Sequence, residues 1–141
     1  MKISTKGRYA LRMLLDMAAH QDDGCVTLKD IAERQDISKK YLEQIALALS
    51  QNGILRGMRG HQGGYRLVGA PGDYTVADIM RVMEGSMAPV ACLDQSPNAC
   101  ERCESCLTLP VWEGLDQVMT AYLGSITLQT ILDGAVPRPQ P

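Results

Sequence analysis

Four cysteines, Cys92, Cys100, Cys103 and Cys106, fall within fifteen residues in the spacing C-x7-C-x2-C-x2-C. Thiolates are soft ligands, and a loop this short can converge several of them on one centre, which selects an iron-sulfur cluster or zinc. Two other chemistries suit the same residues: a reversible disulfide that senses oxidants, and free thiols that bind no metal. Cys25 stands apart near a turn and reads as structural. No hydrolytic set accompanies the thiols, because His20 and His61 have no Ser or Cys in a suggestive arrangement, so an enzyme is not expected.

The chain that must position this loop has 141 residues, 45% of them hydrophobic, enough for one core with an appended segment. It lacks a run of about eighteen apolar residues, so no membrane span is expected. The basic start is interrupted by Arg12 and Asp16 and makes a poor signal peptide, which points to a cytoplasmic protein and fits the absence of a disulfide framework. Charge is uneven: residues 1–68 hold 11 Lys or Arg against 7 Asp or Glu, whereas residues 69–141 hold 3 against 9. A basic front half joined to an acidic back half suits a nucleic-acid reader with a regulatory or oligomerising part.

In the basic half, Ala10, Met13, Leu14, Met17 and Ala18 form a helical stripe over about Thr5 to His20, with Lys6, Arg12 and Asp16 off it. A helix pair follows. Thr27 and Asp30 open the first helix, which buries Leu28, Ile31 and Ala32; Asp36 and Ile37 make the turn. Ser38 caps the second, in which Leu42, Ile45, Ala46 and Leu49 recur at i, i+3, i+4, i+7. Lys39, Lys40, Glu43 and Gln44 then point outward, with Tyr41 on the border. The N-terminal part of such a second helix is what meets base edges in helix-turn-helix proteins, and a helix N-terminus also favours phosphate.

Ile54 to Met58 and Tyr65 to Val68 read as strands joined by the glycine-rich loop Arg59-Gly60-His61-Gln62-Gly63-Gly64, the wing of a winged helix. Arg59 is placed to enter a minor groove, with His61 beside it. Thr75 to Asp78 start a short helix, Gly85 to about Thr108 is the cysteine loop, and Val111, Leu115, Val118, Met119, Tyr122 and Ile126 lie at helical spacing beyond it. A stripe of that length without a partner in its own subunit is expected to meet its copy in a dimer, packing against the first helix being the competing arrangement. Thr127 to Leu132 adds a last turn before a tail expected to be disordered.

The opening MKISTKGRYALRMLLDMA, the helix pair ending ISKKYLEQI, the wing RGHQGGYRL, the cysteine loop and CLTLPVWEGL together resemble the IscR-like winged helix-turn-helix transcriptional regulators, whose relatives include NsrR-type and CymR-type proteins. The resemblance implies a mostly α fold with a small β-hairpin wing and a long C-terminal dimerisation helix. It implies a homodimeric DNA-binding regulator, a repressor foremost, whose paired winged helices read a palindromic double-stranded operator. Carried over by residue, Ser38, Lys39, Lys40, Tyr41, Glu43 and Gln44 form the recognition set and Arg59 and Gly60 the wing set, to which the loop's own reading adds His61. Lys2, Arg8 and Lys29 approach the DNA backbone. Lys40 stands where some relatives carry a small hydroxyl residue.

Cys92, Cys100 and Cys106 match the thiols that in cluster-bearing relatives hold an iron-sulfur centre, 2Fe-2S ahead of 4Fe-4S, with zinc or no metal as alternatives. Leu109 occupies the place of a histidine ligand found in some relatives, and Arg8 the place of an acidic one in others. Cys103 is the first candidate for the fourth position, followed by Asp94, Glu101 and Glu104. The expected organisation is a DNA-binding domain over 1–84, a sensor loop over 85–108, a dimerisation helix over 109–133 and a tail over 134–141.

Overall fold

The structure, a computed structural model, describes residues 3–21 and 24–139. Six α-helices are described: α1 (Thr5–His20), α2 (Leu28–Gln35), α3 (Lys39–Gln51), α4 (Val76–Glu84), α5 (Leu109–Gly124) and α6 (Leu128–Leu132). Between α3 and α4 lies the antiparallel hairpin of β1 (Leu55–Met58) and β2 (Gly64–Leu67), each strand within a residue of its sequence expectation.

Local chemistry accounts for the helix starts. The side chains of Ser4, Thr27, Ser38 and Thr75 each accept a first-turn backbone N–H that the helix itself leaves unpaired. Asp36 closes α2 in the left-handed region with φ 52°, a conformation that a short polar side chain tolerates, and so turns the chain into α3.

Burial selects the inner faces. Met13, Leu14 and Met17 of α1, Ile31 of α2, Leu42, Ile45 and Leu49 of α3 and Ile79 and Met80 of α4 form one core, closed by Leu55 and Leu67 of the hairpin. Ala18 and Ala32, expected inside, are half-buried at its margin. Asp16 departs from expectation in the other direction: it is only 5% exposed.

Besides the burial of Leu55 and Leu67, the hairpin is tied to the segment before α2 by a bridge in which Val26 and Tyr65 exchange two N–H···O=C bonds of 2.8 Å. That approach requires glycine at position 64, where φ is +149° and a Cβ would lie 2.6 Å from the Val26 carbonyl oxygen.

The long C-terminal helix ends at Gly124, short of the expected stripe. Ile126 does not extend that helix; its carbonyl accepts the Val76 N–H at 2.8 Å, and Ile126 and Leu128 are buried in the core beside α1 and α4. α6 therefore packs on α1, whereas α5 contacts α4 and buries none of its residues.

Candidate functional site

The buried face of α3 leaves Ser38, Lys39, Lys40, Glu43 and Gln44 exposed along its N-terminal half. Ser38 is committed to capping, accepting the Tyr41 N–H at 3.2 Å. Lys39 Nζ lies 3.8 Å from Glu43 Oε1 on the next turn, a solvated pair that holds little energy and is readily exchanged for another partner. Tyr41 is half-buried, its ring meeting Tyr9 of α1 edge-on at 5.6 Å. The Arg12 guanidinium in turn lies 5.3 Å from the Tyr9 ring centroid. Lys40 and Gln44 carry no internal partner among the described residues.

In the wing, Arg59, Gly60 and His61 are all exposed, and Gly60 has φ +115°. Gly63 N–H donates to the Gly60 carbonyl at 3.0 Å, and a Cβ on Gly63 would lie 2.6 Å from the Met58 carbonyl oxygen, so the tip is closed backbone on backbone. β1 adjoins α3 directly, which sets the wing beside the exposed helix. Arg8, on the first turn of α1, donates to Thr5 Oγ1 at 3.2 Å and is otherwise open, as is Lys29 on α2. Lys2 lies outside the described residues.

A polar network that periodicity did not reveal fixes the helix pair against α1. Arg34, at the end of α2, donates to both carboxylate oxygens of Asp16 at 2.6 to 3.2 Å, and Gln35 Nε2 donates to the same group at 3.0 Å. Arg12 completes it by donating to the Gln35 side chain and backbone carbonyl. Burial pushes the Asp16 pKa up, but the Arg34 and Gln35 hydrogen bonds and the Arg34 charge outweigh it and hold the carboxyl below its ordinary value. The available signal was a charged residue between Leu15 and Met17, three positions after the buried Met13.

The thiol loop runs between α4 and α5 with two short 3-10 turns, Ala91–Leu93 and Cys103–Ser105. All four cysteines are free and half-buried, and Cys92 and Cys100 line one shallow hollow with Gln95. Cys106 does not line that hollow, and its Sγ lies 3.4 Å from Thr108 Oγ1. That hydrogen bond foremost, with the backbone N–H groups of Thr108 and Leu109 and the charge of Arg102, holds the Cys106 thiol below its ordinary pKa and favours the thiolate. No three metal-ligating side chains gather around one point among the described residues. The donor set is therefore right in type for a thiophilic centre, and two of its members line one hollow, which Cys103 and Cys106 do not.

A capped helix pair with a polar-faced second helix, followed by a glycine-turned hairpin, is the architecture of a winged helix-turn-helix regulator. The chain belongs to the Rrf2 family, whose model, described as "Rrf2: Iron-dependent Transcriptional regulator", matches residues 3–134, and within it the chain is IscR-like. It is 39% identical over 132 residues to the HTH-type transcriptional regulator IscR of Xenorhabdus nematophila, covering 94% of this chain and 79% of the relative. It is 38% identical over 135 residues to protein rrf2 of Nitratidesulfovibrio vulgaris, covering 96% and 89%. Among solved structures, T. potens IscR superposes with a TM-score of 0.77 at 38% identity, over all of this chain and 94% of that one. CymR (YrzC), the global cysteine regulator of B. subtilis, superposes with a TM-score of 0.72 at 34% identity, over 95% and 98%. No described helix is long and apolar enough to cross a membrane.

Proposed function

We propose that this transcriptional regulator acts as a homodimer on a palindromic double-stranded operator, as a repressor in the first instance, and that the thiol loop sets its affinity by holding an iron-sulfur cluster. The observation that carries the DNA-reading part is the exposed polar N-terminal half of α3, held out from a fully buried opposite face with the wing at its side. In this reading Ser38, Lys39, Lys40, Tyr41, Glu43 and Gln44 enter the major groove. Arg59, Gly60 and His61 reach the flanking groove, and Arg8, Lys29 and Lys2 meet phosphates.

Cys92, Cys100 and Cys106 would hold the cluster, with Cys103 as fourth ligand ahead of Asp94, Glu101 and Glu104. When bound, the cluster supplies reactivity toward oxidants or nitric oxide and a dependence on iron-sulfur supply. The chain's own part is to couple loop order to α3. Ser86, just past α4, donates a hydrogen bond to Asp94 inside the loop, and Cys106 lies three residues before α5. α4 contacts α1, α3 and α5, so a change in the loop is passed to the base of the recognition helix and to the dimer helix together.

A second reading of the same fold is a metal-free thiol switch, favoured by the thiols standing short of a three-ligand group and by the likeness to CymR, or a zinc-stabilised regulator, which would need the same convergence of thiols as the cluster. One experiment separates the two. Protein purified without oxygen is analysed for iron, sulfide, zinc and visible absorption, and its affinity for DNA selected from a random pool is measured before and after chelation. Iron with sulfide, a charge-transfer band and a shifted affinity on cluster loss support the cluster sensor. Colourless protein whose affinity follows thiol oxidation supports the second reading, and protein that selects no sequence defeats both.

A further inference from the structure

Arg56 of β1 and Arg66 of β2 are direct partners in the antiparallel register, as are Leu55 with Leu67 and Met58 with Gly64. Partners of this kind have Cα atoms about 4.5 to 5.5 Å apart. Alternation along the strands turns Leu55 and Leu67 into the core and leaves Arg56, Met58, Arg66 and the following Val68 on the outer face. All four are exposed, Met58 at 48% and Val68 at 51%.

Like charges directly opposite each other destabilise a strand pair, and a two-stranded hairpin has little stability to spare. Nothing described in the chain offsets them. Neither arginine joins an ion pair among the described residues, and the stretch from Gln44 to Gly72 contains three arginines and no Asp or Glu. Two adjacent guanidiniums present only donors, in planar forks that suit phosphate oxygens. Their spacing meets a ligand of dense linear charge, and a duplex carries one negative charge per about 1.7 Å of axis. Met58 and Val68 flank them with apolar surface suited to the sugar faces between phosphates.

We propose that Arg56 and Arg66 form a phosphate clamp on the outer face of the wing, gripping the sugar-phosphate backbone beside the bases that α3 reads. The clamp rests on the DNA-reading function proposed above and adds to it a backbone site distinct from the wing tip at Arg59. It holds the complex in register and carries no sequence information.

The test uses the full chain and DNA selected by the wild-type protein. Affinity is measured against potassium chloride concentration for wild type, for Arg56→Gln with Arg66→Gln, and for Arg56→Lys with Arg66→Lys, alongside each thermal midpoint. On the palindrome the homodimer presents two wings, so loss of two phosphate contacts from each is expected to flatten the slope of log affinity on log salt by about 3.6, at about 0.9 per contact. The expected glutamine variant keeps its preference for the selected sequence over a mismatched one, keeps or raises its thermal midpoint because the repulsion is gone, and is matched in salt slope to wild type by the lysine variant. An unchanged slope in the glutamine variant overturns the clamp while leaving the DNA-reading function standing. A fall in affinity that tracks a lowered midpoint and is not restored by lysine overturns it too, as a folding effect. Wild-type protein that selects no sequence removes the clamp and the reading on which it rests.

Discussion

A carboxylate between two helices is tolerated only while charged and polar donors face it, and Asp16 meets that condition through Arg34 and Gln35. Removing the carboxylate unties α1 from Arg34 and Gln35 and leaves a small void at a buried position, while the exposed Arg34 turns to solvent, so Asp16→Ala is expected to cost about 1–3 kcal/mol in urea unfolding. Asp16→Asn, which keeps one acceptor, should cost less. Because the folded carboxyl titrates below its unfolded value, its contribution is complete above the unfolded value and is lost as pH falls through the folded one. Wild-type stability should therefore drop on acidification through the carboxylate range more steeply than that of Asp16→Asn. Parallel pH profiles for the two proteins would show that the pair does not hold α1 to α2. This residue also marks the limit of what periodicity can show. Asp16 reads as lying off the apolar stripe, and its burial depends on partners at positions 34 and 35 that no local pattern connects to it. The same limit applies to the thiols: their spacing shows the donor type, while convergence depends on loop conformation that spacing does not dictate.

Elements whose boundaries rest on local chemistry were legible, because Thr27, Ser38 and Thr75 each cap through a hydrogen bond within the same turn, and the wing is signalled by glycines that only its backbone contacts demand. The end of α5 was not. Ile126 continues the four-residue spacing from Tyr122, and what breaks the helix is a non-local bridge between Thr75 and Thr127 that draws Ile126 and Leu128 into the core. The wing's attachment is non-local too, since Val26 and Tyr65 hold it through two hydrogen bonds beside the buried Leu55 and Leu67. Gly64→Ala adds a methyl against the Val26 carbonyl at a φ that alanine resists, so it is expected to cost about 1–3 kcal/mol. It should also weaken binding to selected DNA by releasing the wing from its angle beside α3. Gly72→Ala is the matched control, because the nearest atom lies 4.0 Å away, and it should leave stability and affinity unchanged. Equal unfolding midpoints for the two variants would show that the wing does not depend on this bridge.

At the scale of the molecule, the question is what covers α5. Val111, Leu115, Val118 and Tyr122 recur at intervals of four, three and four along a helix of 16 residues, about 24 Å long. Val111 is 61% and Val118 67% exposed in the single chain, while Trp112 beside them is the only tryptophan. A stripe with that seam spacing is satisfied by a second copy crossing along it, whereas an isolated chain would leave it in water. Leu115→Glu with Val118→Glu places charge in the seam without touching the buried core, to which α5 contributes no residue, so the variant is expected to fold yet sediment as a monomer, with Trp112 emission shifted to the red. The expected consequence for DNA comes through the loss of linkage between two half-site binders. Two linked half-site binders see each other at an effective concentration in the millimolar range, and losing that linkage weakens binding to a two-half-site operator by about 10²–10⁴-fold. Binding to an isolated half-site should be nearly unchanged, because α3 and the wing remain intact. Sedimentation of wild type as a monomer at micromolar concentration, or a double variant that still binds the palindrome as wild type does, would mean that α5 is covered by something other than its own copy.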